Sequence, residues 1–205
     1  MAQPIRLAAH DLSCQRGQKV LFRHLSFALG RGKALRVSGP NGAGKTSLLR
    51  LVAGLLPLQE GRLETGDDAR PLPELCHYVG HGNGIKSALT VGENASFWAD
   101  FLDGEPARVG GALKMFGLEA LAHLPAGLLS AGQKRKLALT RLLVAPRPIW
   151  LLDEPSVSLD AASVKLLDAV IVRHLKSGGL AMVASHTPLK VAFAHELKLG
   201  GRGAP

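Results

Sequence analysis

Gly39-Pro-Asn-Gly-Ala-Gly-Lys45-Thr46 decides the fold of this chain. It lies between the apolar run Ala34-Leu-Arg-Val37 and the helical pattern Ser47-Leu-Leu-Arg-Leu-Val52, so a glycine loop joins a strand to a helix. The spacing is G-x-x-x-x-G-K-[ST], that of the phosphate-binding loop. Gly42 and Gly44 can take backbone angles that a side chain forbids, turning successive N–H groups toward one anion. The helix starting beside Gly44 adds unpaired N–H groups and the positive end of its dipole. Lys45 is expected to reach the β and γ phosphates, and the Thr46 hydroxyl is placed to ligate a magnesium ion, Mg2+. The stretch from Gly39 through Ser47, with Pro40, Asn41 and Ala43, is therefore read as the seat of a nucleoside triphosphate.

A second stretch supplies acids. Pro148-Ile-Trp-Leu-Leu-Asp153-Glu154-Pro155 reads as a buried strand ending in two carboxylates. A parallel strand covered on both faces must be continuously apolar, and ligand groups sit beyond its carboxyl end. Asp153 is expected to hold the metal through water, and Glu154 to polarise the attacking water as general base.

Around these two motifs the pattern is α/β. Ile5 to Leu29 suggests two or three strands, and Gly30-Arg-Gly32 a turn. A helix is predicted from Gly44 to about Leu55, with strands at Leu63-Glu-Thr65 and Cys76 to Val79. From Ile85 to Ala145 the periodicity is helical, over Val91–Leu102, Ala107–Phe116 and Ala131–Val144. Strand, helix and strand then follow at 149–152, about 161–175 and 180–184. The expected organisation is a nucleotide-binding α/β core, residues 1–84 and 146–205, interrupted by a helical lobe, 85–145. Residues 200–205 read as a frayed tail.

Composition narrows the classes. The chain has 205 residues, 46% hydrophobic, enough for one substantial core. No stretch approaches the roughly 20 apolar residues of a membrane span, and Met-Ala-Gln-Pro-Ile-Arg6 carries no apolar signal region, so a cytoplasmic location is expected. Cys14 and Cys76 lack metal-ligand spacing and read as reduced thiols. The net charge of +9 favours anionic partners, but aromatics are only 4% of residues, leaving few platforms for base stacking; no nucleic acid is expected. Lys134-Arg-Lys136 and Arg141 read as a solvated or phosphate-facing helix edge.

Leu129-Ser-Ala-Gly-Gln133, taken with the phosphate loop and Leu-Leu-Asp-Glu-Pro155, resembles the signature of the ATP-binding cassette (ABC) ATPases, usually Leu-Ser-Gly-Gly-Gln. The resemblance implies a phosphate-loop NTPase fold, with a RecA-like core, N-terminal antiparallel strands and an inserted helical lobe. It implies ATP and Mg2+ as ligands. It also implies a head-to-tail homodimer in which Ser130, Ala131, Gly132 and Gln133 face the γ-phosphate held by the other subunit. Ser158-Leu-Asp160 corresponds to the loop that aligns the opposing site, and His186 to the switch histidine that orients the attacking water. Two positions depart from the pattern. Arg16 stands where an aromatic residue usually stacks on adenine, and Gly82 stands where the loop between core and lobe usually carries glutamine, with His81 and Asn83 as possible substitutes.

Within that family, Tyr78-Val-Gly-His-Gly-Asn-Gly-Ile-Lys-Ser-Ala-Leu-Thr-Val-Gly-Glu-Asn94 and Leu21-Phe-Arg-His-Leu-Ser-Phe27 resemble the ATP-binding subunits of haem-exporter (cytochrome c maturation) complexes. That resemblance implies integral-membrane permease partners and, indirectly, a haem chaperone. It places the chain peripherally on the cytoplasmic face of the bacterial inner membrane, with Ile85 to Phe101 receiving the permease. The ATPase of another small exporter, for lipid, drug or lipoprotein, remains an alternative, as does a soluble clamp acting on ribosomes or DNA.

Overall fold

The computed structural model describes residues 5–67 and 69–200. Residues 1–4 and 201–205 lie outside that description, and with them the tail expected at 200–205 except for Gly200. In chain order the elements are β1 (Leu7–Arg16), β2 (Lys19–Leu29), β3 (Ala34–Ser38), α1 (Lys45–Val52), β4 (Glu60–Glu64), α2 (Leu72–Leu75), β5 (Cys76–Val79) and α3 (Val91–Phe101). They continue with α4 (Arg108–Met115), α5 (Ala131–Val144), β6 (Ile149–Asp153), α6 (Ala161–Lys176), β7 (Leu180–Ala184) and β8 (Phe193–Lys198). β1, β2 and β4 form an antiparallel sheet, ordered β2-β1-β4, and the rest a parallel sheet, ordered β5-β6-β7-β3-β8. α1 stops at Val52, short of the expected Leu55, because Gly54 adopts a positive φ of 71° just beyond it.

The parallel strands are apolar on both faces, and the period of two assigns each residue to a layer. Leu35, Ile149, Leu151, Leu180 and Met182 face the core that contains α1 and the antiparallel sheet. Ala34, Trp150, Leu152, Ala181 and Val183 face the core that contains Leu137, Leu139 and Leu142 of α5 and Leu167 and Ile171 of α6. The helical stretch thus shares one apolar layer with the sheet. Two helices are fixed at their starts by reciprocal caps, Thr90 with Glu93 for α3 and Ser130 with Gln133 for α5.

One strand goes unforeseen and one expectation fails. β8, with its mostly exposed Phe-Ala-His-Glu-Leu-Lys pattern, is an edge strand paired only to β3, and nothing in its sequence distinguishes it from loop. The basic edge of α5 is also not uniformly solvated. Arg135 is 3% exposed and Arg141 6%. The helical repeat places Arg135 with buried Ala138, Leu139 and Leu142, while Lys134 and Lys136 flank that face. Arg141 sits over the Trp98 ring, 3.7 Å from its centroid, and donates to the Asn83 carbonyl.

Cys14 and Cys76 are free and buried, with no metal cluster among the described residues. His77 is 1% exposed, and its Nε2 lies 2.6 Å from the Ala145 carbonyl, so that nitrogen carries the proton and donates. Burial pushes the imidazole down from 6.5 to about 3. The unfolded chain therefore binds this proton more readily. Stability from this site is complete above about pH 6.5 and is lost as pH falls toward 3, by at most about 1.4 kcal/mol per pH unit. Melting temperatures of the wild type and of His77→Gln, which keeps a donor but cannot ionise, should diverge below about pH 6.5 as the wild type falls faster. Parallel curves would exclude this role.

Candidate active site

The loop from Ser38 to Lys45 leaves the carboxyl end of β3, next to β7 and one strand from β6. Gly39, Gly42 and Gly44 all have positive φ, at 136°, 77° and 103°. Gly44 caps α1 without a side chain, which leaves first-turn N–H groups for an anion. The Lys45 ammonium donates to the carbonyls of Gly39, at 2.7 Å, and Pro40, at 3.1 Å. It also lies 3.4 Å from His186 Nε2. Ala43 is buried and belongs to the core under the antiparallel sheet.

A cavity of about 340 Å3 opens here. Asn41, Gly42, Gly44, Lys45, Thr46 and Ser47 line it from the loop and α1, Asp153, Glu154 and His186 from the ends of β6 and β7, and Arg16 and Leu21 from the antiparallel sheet. A larger cavity, about 750 Å3, lies at the opposite end of β6 around Trp150, His174 and Arg147. Open parallel sheets bind ligands beyond the carboxyl ends of their strands, so the smaller cavity is the candidate site.

Asp153 is 3% exposed. Its Oδ2 accepts from the Tyr78 hydroxyl at 3.3 Å, and that hydroxyl in turn accepts from Arg50 Nε at 3.2 Å. The Tyr78 phenol is pushed up by burial, so it remains a donor. Glu154 has φ 49°, a left-handed conformation uncommon for a side-chain residue. Its N–H donates to the Ala184 carbonyl at 2.8 Å, and its Oε2 accepts from the His186 N–H at 3.1 Å. Its Oε1 is buried without a hydrogen-bond partner, 3.7 Å from His186 Nε2. An unpaired carboxylate oxygen beside a histidine is a suitable acceptor for a water proton. His186 Nε2 is also 3.1 Å from Asn41 Oδ1. Protonated, that nitrogen donates to Asn41; unprotonated, it accepts from Lys45.

No group of three or more His, Cys, Asp or Glu side chains that could hold a metal exists among the described residues. One buried carboxylate at Asp153 and one hydroxyl at Thr46 instead suit Mg2+, whose remaining ligands are phosphate oxygens and water. Behind the acids, the Arg135 guanidinium donates to the carbonyls of Asp153, Glu154 and Pro155 at 3.1, 2.7 and 3.0 Å. It also donates to the Gly80 carbonyl at 2.7 Å and to Asn83 Oδ1 at 3.1 Å. Burial lowers its pKa, and the charges of Asp153 and Glu154 oppose that shift. Tyr78, Arg50 and Arg135 are neighbours that sequence reasoning misses; their only signal is position, near a strand end or one turn into a helix.

The other expected residues lie elsewhere on the chain. Ser130 through Gln133 and Asp160 do not line the phosphate-loop cavity. Ser130 is exposed at the start of α5, where its Oγ accepts from the Gln133 N–H at 3.2 Å and Gln133 Oε1 accepts from the Ser130 N–H at 2.9 Å. Its hydroxyl proton remains free to be donated outward. A Cβ on Gly132 would come within 2.7 Å of the Ser158 carbonyl, so glycine lets α5 sit directly on the loop after β6. Ala131 lines a small cavity of about 190 Å3 with His81, Asn83 and Ser158. Asp160 caps α6, accepting from the Ser163 N–H at 2.7 Å, and its hydrogen bonds to Ser163 hold its carboxyl below the usual range.

A glycine phosphate loop at the switch from β3 to α1, facing buried acids at the end of β6, defines a phosphate-loop ATPase of the ATP-binding cassette class. The family model described as ABC transporter matches residues 22–157. A putative ABC transporter ATP-binding protein from Pyrococcus furiosus superposes with a TM-score of 0.80 at 22% identity, covering 95% of this chain and 97% of that one. The cytochrome c biogenesis ATP-binding export protein CcmA of Nitrobacter winogradskyi is 50% identical over 199 residues, 96% of this chain and 99% of the relative. CcmA of Mesorhizobium japonicum is 46% identical over 202 residues, 97% of this chain and 100% of the relative. The chain belongs to the ABC transporter family, in the group of the CcmA ATP-binding export proteins.

Proposed function

We propose that this chain is the ATP-hydrolysing subunit of an ABC export complex in cytochrome c biogenesis, coupling hydrolysis to haem transfer or to release of a haem chaperone. The observation that carries the chemistry is the convergence of Lys45, Asp153, Glu154 and His186 on one cavity beside the glycine loop. The loop from Gly39 to Ser47 holds the triphosphate through its main-chain N–H groups, of which Pro40 has none, and through the Lys45 ammonium. Thr46, and Asp153 through water, would hold Mg2+, which would neutralise phosphate charge. Glu154 takes the proton of the attacking water through its unpaired Oε1, and His186 aligns that water against the γ-phosphate. Arg16 stacks on the base; its planar guanidinium gives a weaker base preference than an aromatic ring.

The working unit is a head-to-tail homodimer. Ser130 through Gln133, at a helix start outside their own phosphate cavity with Ser130 and Ala131 exposed, clamp the partner's γ-phosphate, and the Ser158–Asp160 loop aligns the two halves. Integral-membrane permeases dock on the helical side, and the chain works at the cytoplasmic face of the bacterial inner membrane as a peripheral subunit. No helix among the described residues is long and apolar enough to cross a membrane. Phe97 and Phe101 stack at 5.8 Å with Phe101 65% exposed, an apolar face on α3 suited to a permease loop. Purification from detergent-solubilised membranes should recover MgATPase activity together with the permeases. Recovery wholly with ribosomes or DNA would overturn the membrane role.

The missing loop glutamine bears on coupling. A Cβ at Gly82 meets nothing within 4 Å, and Asn83 is committed to Arg135, so glutamine fits at 82 without displacing its neighbours. Gly82→Gln should leave hydrolysis in the absence of permeases within about threefold of wild type, if this loop serves coupling rather than chemistry. A larger change in partner-free rate would place the loop in the hydrolytic site.

A further inference from the structure

We propose that Arg135 is a positioning residue that holds the Glu154 turn in its hydrolytic conformation and ties it to the start of α5, an inference that rests on the ATPase reading above. Three observations converge on it. Glu154 and Ser158 both occupy the left-handed region, at φ 49° and 66°, so the turn after β6 is strained at two side-chain residues and persists only where its surroundings hold it. The Arg135 fork holds it, binding three consecutive carbonyls, Asp153 to Pro155. The same guanidinium reaches Gly80 and Asn83, at the loop lacking glutamine, so one buried cation joins the ends of β5 and β6.

Arg135 also stands five residues after the exposed Ser130, on the helix whose Gly132 abuts the Ser158 carbonyl. A phosphate drawn onto the start of α5 therefore pulls on a rigid element clamped to the chain's own acids. Occupancy of the partner's nucleotide is thereby felt at Glu154 of the same chain. No other side chain bridges these parts with as many donors: a lysine offers one nitrogen and cannot span acceptors on both strands.

The test separates turnover from binding. Wild type, Arg135→Lys and Asn83→Ala are compared for steady-state kcat, for ATP affinity by equilibrium binding with Mg2+, and for melting temperature. In Arg135→Lys, kcat should fall at least about tenfold while affinity stays within about threefold, because the phosphate loop is untouched while the acid turn and its tie to Gly80 and Asn83 are released. Asn83→Ala, which removes one of five acceptors and leaves the fork in place, should lower kcat by about two- to fivefold with affinity unchanged. A folded Arg135→Lys that keeps wild-type kcat, or that loses affinity in step with kcat, overturns the proposal. Should Arg135→Lys fail to fold, an unchanged kcat in Asn83→Ala overturns it equally, and the predicted loss upholds it. A wild-type protein without ATPase activity would instead refute the ATPase reading itself.

Discussion

Replacing Glu154 by glutamine is expected to lower ATP turnover by about 10²- to 10⁴-fold while leaving ATP binding intact. The two side chains have the same shape, so the carbonyl oxygen of the amide can still accept from the His186 N–H, as Glu154 Oε2 does at 3.1 Å. The backbone at φ 49° is held by its bonds to Ala184 and Arg135, neither of which involves the side chain. What changes is the second oxygen. Oε1 is buried and unpaired, and an amide nitrogen in its place has no lone pair for a water proton. With hydrolysis blocked and the phosphates bound, the clamp between two protomers proposed above would have no route to open. Monomers of 21.6 kDa and net charge +9 repel one another until anionic nucleotide lies between them. Gel filtration at saturating MgATP should therefore show Glu154→Gln at twice the monomer mass. A variant that stays monomeric under those conditions would rule out the sandwich, and one that keeps turning over would remove Glu154 from the chemistry.

The parts of this site that were legible in the sequence are those whose chemistry is contiguous. The glycine loop, the apolar strand ending in Asp153-Glu154 and the serine-led helix start each carry strand, turn or cap signals within ten residues. Each lies where expected. What escaped depends on strand order and helix facing. Tyr78 meets Asp153 because β5 pairs with β6 in the register Tyr78↔Leu151, a neighbour relation across 75 residues that no local pattern encodes. Arg135 sits between two lysines, and a run of three cations reads as solvated; only the 100° turn per residue separates the one that is buried. His77 is similar, a polar residue in a buried strand whose presence makes sense only once the Ala145 carbonyl is beside it.

Lys45→Ala should weaken binding of ATP but not of AMP. The ammonium is the one full positive charge on the glycine loop, and charged hydrogen bonds of this kind contribute about 1.5–3 kcal/mol each, roughly 10- to 150-fold in affinity. Its donors are fixed close to the phosphate path by the Gly39 and Pro40 carbonyls, at 2.7 and 3.1 Å, so little ordering remains to be done when the triphosphate arrives. Pro40 is exposed and Gly39 partly so, so water can reach both carbonyls in place of the ammonium, and the fold should survive the substitution. AMP lacks the β and γ phosphates that Lys45 is proposed to serve and should bind the variant and the wild type alike. The ratio of the two losses is thus the diagnostic quantity, and equilibrium binding of both nucleotides with Mg2+ measures it. Equal weakening for ATP and AMP would mean that Lys45 supports the loop rather than the terminal phosphates. Equal affinity for ATP in variant and wild type would move the triphosphate off residues 39–46 altogether, and with it the roles assigned to Glu154, His186 and the opposing Ser130.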